Sequence, residues 1–129
     1  MDRHHNQEAT VTNNRLTAQR LDTLLDVLSS EPRRMVVAYL REHGSASVDE
    51  LTDVVVGWSQ ARGERVADDT WEQTRTVLYH NHLPALAAVD LVAYDVDEQT
   101  VEIAPLSSAT TELLSTVQEL EHTLTDSAN

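Results

Sequence analysis

Two sets of side chains in this sequence have the types and spacing to do chemistry. One is a histidine pair, His80 and His82; the other is a polar stripe of Gln73, Thr76 and His80 with arginines around it. Histidine ligates metals and moves protons near neutral pH. On a helix, residues two apart such as His80 and His82 point about 200° away from each other, so one ion cannot take both. His82 shares its face with Leu78 and Leu86, the place of a hydrogen-bonded core histidine, whereas His80 turns outward with Gln73 and Thr76. His4-His5 sits in a polar stretch and reads as a pair of tail residues, with at most adventitious metal binding expected. With no cysteine and no histidine pair at i, i+4, no metal site and no cofactor is expected.

Catalysis has no better footing. The three glycines, Gly44, Gly57 and Gly63, build no phosphate-cradling loop. There is no Gly-x-Ser-x-Gly elbow, and no spacing selects a Ser, His and Asp triad. No catalytic residue is expected, so the chain is not read as an enzyme. The polar stripe fits nucleic acid. Gln73, Thr76 and His80 lie at spacings of 3 and 4 on one helix face. Glutamine and threonine read base edges in the major groove, and Arg75 on the same helix reaches bases or phosphates. Arg62 and Arg65, in the preceding loop, are placed for backbone phosphates. The competing reading is an ordinary solvated helix face.

The elements that must position these residues follow from periodicity. Residues 1–15 are polar and unpatterned and are expected to form a flexible N-terminal tail. Leu21, Leu24, Leu25 and Leu28 give a helix over 16–29. Pro32 opens a second helix, 32–43, which carries Val36, Val37 and Leu40 and is ended by Gly44. Ser47-Val48-Asp49-Glu50 is a capping box that starts a third helix over 48–61. Asp69 and Glu72 repeat that pattern more weakly ahead of a helix over 69–82, which Pro84 should kink or split near residue 83. Leu91–Tyr94 and Thr100–Ala104 then read as a hairpin around Asp97-Glu98-Gln99. Ser107 or Ser108 caps a last helix in which Leu113, Val117, Leu120 and Leu124 are spaced 4, 3 and 4, a seam suited to a two-helix contact.

The expected fold is therefore mainly α with a small β-hairpin. It is a winged helix-turn-helix with flanking N- and C-terminal helices: a tail over 1–15, a winged-helix domain over 16–105, and a dimerising C-terminal helix over 106–126. Its core must be aliphatic, because 129 residues supply 16 Leu and 15 Val but no Phe and two Trp. No apolar run approaches the roughly 18 residues of a membrane span, and no signal peptide is visible. A cytoplasmic protein without a membrane partner is expected.

Charge narrows the setting. Twenty-two carboxylates face nine cations, all arginine, for a net charge of −13. Acid excess, absent lysine and Val in place of Ile are what a salt-accumulating cytoplasm favours, as in haloarchaea, because concentrated salt screens the self-repulsion. The acids are unevenly placed. Residues 32–84 hold six Arg and eight acids, whereas 85–129 hold nine acids and no cation. The helix-turn-helix is close to neutral, and the wing tip at Asp95, Asp97 and Glu98 should avoid phosphates.

Particular residues also carry a family likeness. Leu28-Ser29-Ser30-Glu31-Pro32-Arg33-Arg34 with Val37 and Leu40 resembles the opening helix of arsenical-repressor-like winged-helix regulators. Leu78-Tyr79-His80-Asn81-His82-Leu83-Pro84-Ala85-Leu86, followed by Leu91-Val92-Ala93-Tyr94-Asp95, is similar to an uncharacterised winged-helix domain family abundant in haloarchaea. The likeness spans about 20–105 and implies the fold; that family has no established activity to carry over. Its pattern has Gly before the wing strand where this chain has Asp90, which tolerates a left-handed backbone better than most residues.

The resulting expectation is a homodimeric winged-helix transcriptional regulator that binds double-stranded DNA through residues 62–82. The alternative is a protein-interaction module of the same fold with no DNA contact. A small-molecule effector has no sequence support.

Overall fold

The computed structural model describes residues 17–127. The tail over 1–15, with His4-His5, lies outside the described residues. The chain divides into a compact unit, Asp26–Ala104, and a second unit made of the flanking segments up to Leu25 and from Pro105.

Helix α1 spans Ala18–Val27 and α2 spans Glu31–His43. The guanidinium groups of Arg33 and Arg34 donate to the carbonyls of Val27 (3.4 Å) and Leu28 (2.8 Å), groups that the end of a helix leaves without backbone partners. Pro32 sits in the first turn of α2, where its missing N–H costs nothing. At the other end Gly44 has φ of 89° and donates to Leu40 O at 2.7 Å. Nothing lies within 4 Å of where a Cβ would sit, so the backbone angle alone calls for glycine.

Strand β1, Ser45–Ser47, was not anticipated: three residues are too short to show alternation, and only Ala46 is buried. It leads into α3, Val48–Ala61, which keeps the expected boundaries. Ser47 Oγ accepts the Glu50 backbone N–H at 3.0 Å, the first half of the capping box. The return half is not made, because the Glu50 carboxylate accepts the Tyr39 hydroxyl instead. That bond, more than burial, raises the Tyr39 phenol above its ordinary pKa. Val48, Leu51, Val55 and Val56 face inward, with Thr52, whose buried hydroxyl donates to Val48 O at 2.8 Å.

The helix expected over 69–82 runs on through residue 88 without a break. It comprises α4, Thr70–Val77, a single π turn, Leu78–His82, and α5, Leu83–Ala88. The π turn is closed by the Leu83 N–H reaching back five residues to Leu78 O. Pro84 has no N–H, and in a regular helix its ring presses on the carbonyl four residues earlier; a widened turn just before it relieves this, and the regular helix divides there as expected near residue 83. The extra residue also corrects the core register. Leu78, Leu83 and Leu86 are all fully buried, although Leu78 and Leu83 would lie about 140° apart on a regular helix. The face assigned to His82 between Leu78 and Leu86 therefore belongs to Leu83, and His82 is only half-buried.

Asp90 adopts φ of 61°, the left-handed conformation anticipated there. Strands β2, Val92–Asp95, and β3, Thr100–Ile103, follow, and the antiparallel sheet has the order β1-β3-β2. Val101 is the centre of the register, opposite Ala46 on one side and Tyr94 on the other. In the turn between β2 and β3, Asp95 accepts the Glu98 N–H at 3.0 Å and Gln99 takes φ of 56°.

The second unit contains α6, Ser108–Ser127, capped by Ser107 Oγ, which accepts the Thr110 N–H at 3.1 Å. Its buried register runs through Thr110 and Leu114, one residue from the expected seam. Leu113 and Val117 are half-buried, whereas Leu120 and Leu124 stand 58% and 68% exposed.

The protein is thus mainly helical with a small three-stranded antiparallel sheet. Helix, strand, two helices and two strands in that order make a winged helix-turn-helix, with a further helix on each flank. Its largest fully buried side chains are all Leu or Val apart from Thr52, the aliphatic core that the composition requires.

Candidate nucleic-acid interface

Helix α4 places no residue in the core. Two polar rungs hold it to α3 instead. Trp71 Nε1 donates to Asp53 Oδ1 at 2.7 Å, and Arg75 Nε donates to Asp49 Oδ1 at 2.6 Å. Both the donors and the acceptors are four residues apart, so one face of each helix carries both rungs. The other side of α4 is left to solvent: Gln73, Thr76 and Val77 are exposed, as is His80 in the π turn that follows.

The six residues expected at a nucleic-acid surface meet different fates. Gln73 Nε2 donates to Asp69 Oδ2 at 2.8 Å, which replaces the weak cap expected from Asp69, whose carboxylate takes no backbone N–H. Thr76 Oγ1 donates to Glu72 O at 2.9 Å, and the His80 ring stands edge-on to Tyr79. Arg75 is engaged inside the fold. Besides Asp49, it donates to Gln99 Oε1 in the wing turn at 2.8 Å, and its guanidinium lies 5.9 Å from the centre of the Tyr79 ring. Tyr79 meets Tyr94 of β2 edge-on at 6.0 Å, so Arg75 and Tyr79 together tie α4 and its π turn to the wing. Burial, and then the neighbouring Tyr79, raise the Tyr94 phenol above its ordinary pKa.

Arg62 is engaged as well. It pairs with Glu31 at 2.6 Å and with Glu64, joining the loop after α3 to the start of α2. Arg65 is exposed, and no hydrogen bond or ion pair holds it among the described residues. Val77 was missed by sequence reasoning, because an aliphatic residue on a helix reads as core; it is 43% exposed. The wing tip is acidic as expected, with Val96 beside it 52% exposed.

His82 faces away from this surface. Its Nδ1 accepts a hydrogen bond from Arg33 Nε at 3.0 Å, which requires the imidazole nitrogen to be unprotonated. Burial first, and then the Arg33 charge, hold its pKa below the ordinary 6.5. A histidine with a lowered folded-state pKa contributes stability that is present above 6.5 and is lost as pH falls through the folded value. Between about pH 7.5 and 5.5 the wild type should lose more stability than His82→Gln, which does not titrate in that range. Chemical denaturation at both pH values checks this, and equal losses would count against it.

Among the described residues no group of three His, Asp or Glu side chains is placed to hold a metal ion, and no helix is long and apolar enough to cross a membrane. Fold and surface together define a winged helix-turn-helix module that presents a polar helix face beside an acidic wing. The chain belongs to a family described as a domain of unknown function, DUF7344, whose model matches residues 25–102. No curated protein and no solved structure matched the chain.

Proposed function

We propose that this chain is a DNA-binding transcriptional regulator of the winged-helix type, homodimeric and working in a salt-accumulating cytoplasm such as that of haloarchaea. The observation that carries the reading is α4 itself. It places no residue fully in the core, is clamped to α3 by two polar rungs, and turns Gln73 and Thr76 outward, with His80 following in the π turn. With no fully buried side chain, this helix offers its outer face to a partner, and those residue types read base edges.

A second reading, a protein-interaction module, has its own support. Arg62 and Arg75 are neutralised within the fold, Asp69 lies on the same face as Gln73, and the wing tip is acidic. These features weaken phosphate attraction, which concentrated salt weakens further. Selection from a random duplex library in about 2 M KCl separates the two, because sequence-specific contacts outlast phosphate pairing there. The DNA reading expects an enriched sequence that Gln73→Ala binds at least tenfold more weakly, on the order expected for loss of a bidentate base contact. Absence of enrichment favours the protein module.

The uncovered C-terminal half of α6 supports dimerisation. Leu120 and Leu124 continue the line of Leu113 and Val117, and a second copy would bury them. Sedimentation in about 2 M KCl, where repulsion among Glu112, Glu119 and Glu121 is screened, should show a dimer. Leu120→Asp should then be a folded monomer with much weaker DNA binding, since a charge buried in the seam is costly. A wild-type monomer removes the dimer, and a dimer indifferent to Leu120→Asp moves the interface to Leu21 and Leu25 of α1.

A further inference from the structure

We infer that the outer face of α4 selects A·T base pairs, with Val77 packing on the 5-methyl group of a thymine and Gln73 taking an adenine about two base-pair steps away. This rests on the DNA reading above and specifies what that surface recognises. Among the described residues of the unit Asp26–Ala104, the exposed large aliphatic side chains are Val77 and Val96. One is on α4 and the other is at the wing tip. Val77 is exposed although the rest of the helical run buries Leu78, Leu83 and Leu86, so core packing does not account for its exposure.

Its neighbours restrict the partner. Gln73 lies one turn before Val77, about 6 Å along the axis, a distance close to two base-pair steps. Guanine presents two acceptors in the major groove, a match for Arg or Lys, and the arginine on this helix, Arg75, is held by Asp49 and Gln99. Cytosine presents an amino donor, which a valine leaves unpaired. Thymine is the base with an apolar group in that groove, and adenine N6 and N7 suit a glutamine amide. Gln73 would exchange its contact with Asp69 for adenine, a small cost because that contact is exposed. With Arg62 and Arg75 occupied, methyl packing and amide pairing must supply most of the discrimination.

The experiment uses the full chain and the duplex selected in about 2 M KCl, with each thymine replaced in turn by deoxyuridine, which lacks only the methyl group. At one position the wild type should lose about five- to tenfold in affinity, an effect at the lower end of good base contacts. Val77→Ala should bind the thymine and uracil duplexes within about twofold of each other, while Val96→Ala keeps the wild-type difference. A thermal melt of Val77→Ala close to wild type shows that folding is intact. Uracil substitutions silent at every position overturn the inference, as does full uracil sensitivity in Val77→Ala; both leave the DNA reading standing. Failure to select any duplex overturns the DNA reading, and this inference with it.

Discussion

Thermal melts between about 0.1 and 3 M KCl will show a midpoint that climbs with salt, by on the order of 10 °C or more across the series. Nine acids and no cation lie between residues 85 and 129, within a chain of net charge −13. Folding brings these like charges together, and only mobile ions offset the repulsion in dilute buffer. Screening also weakens favourable pairs, so the sign depends on which effect is larger. The pairs Arg62–Glu31, Arg62–Glu64 and Arg75–Asp49 are between partly or well exposed side chains, and such pairs contribute about 0–1 kcal/mol each. Many uncompensated acids outweigh three such pairs. Replacing Glu112 and Glu119 together by lysine should flatten the slope, since both are exposed and α6 has no Lys or Arg. A midpoint that stays level or falls with KCl would overturn the halophilic reading.

What could be read ahead of the structure was whatever local sequence determines. The capping serine Ser47 and the stop at Gly44 each act within four residues, and α3 appears at its expected bounds because Leu51 and Val55 repeat at helical spacing. The aliphatic core follows from composition alone. β1 was not legible because three residues carry no period, and its pairing depends on β3 more than fifty positions away. The π turn was not legible because a regular period places His82, not Leu83, on the buried face; only the demand that Leu78 and Leu83 both be buried reveals it. At the site, the exposure of Gln73, Thr76 and His80 followed from their spacing. The internal engagement of Arg62 and Arg75 did not, since Glu31, Asp49 and Gln99 come from other elements 24 to 31 residues away. Position in the chain placed those arginines near the surface in question, but their partners decide whether a guanidinium is available to a phosphate.

Leu83→Ala will destabilise the protein by about 2–5 kcal/mol, the range for truncating a fully buried leucine. His82→Ala will cost less, about 1–2 kcal/mol, because it removes a half-buried ring and leaves the Arg33 donor without its acceptor. The order of the two losses reports on the π turn. A regular helix through residues 78–86 would put position 82 in line with Leu78 and Leu86 and rotate Leu83 toward solvent, so the histidine variant would be the more damaged. The extra residue reverses this and sets the phase between α4 and α5. The buried register of α5 starts at Leu83, while α4 keeps Gln73, Thr76 and Val77 on its outer side. Urea denaturation of both variants in about 2 M KCl, where charge repulsion is screened, measures the pair under one condition. A larger loss for His82→Ala would restore the regular turn. With the phase of the helix shifted by that missing residue, the outward placement of His80 alongside Gln73 and Thr76 would have to be assigned again.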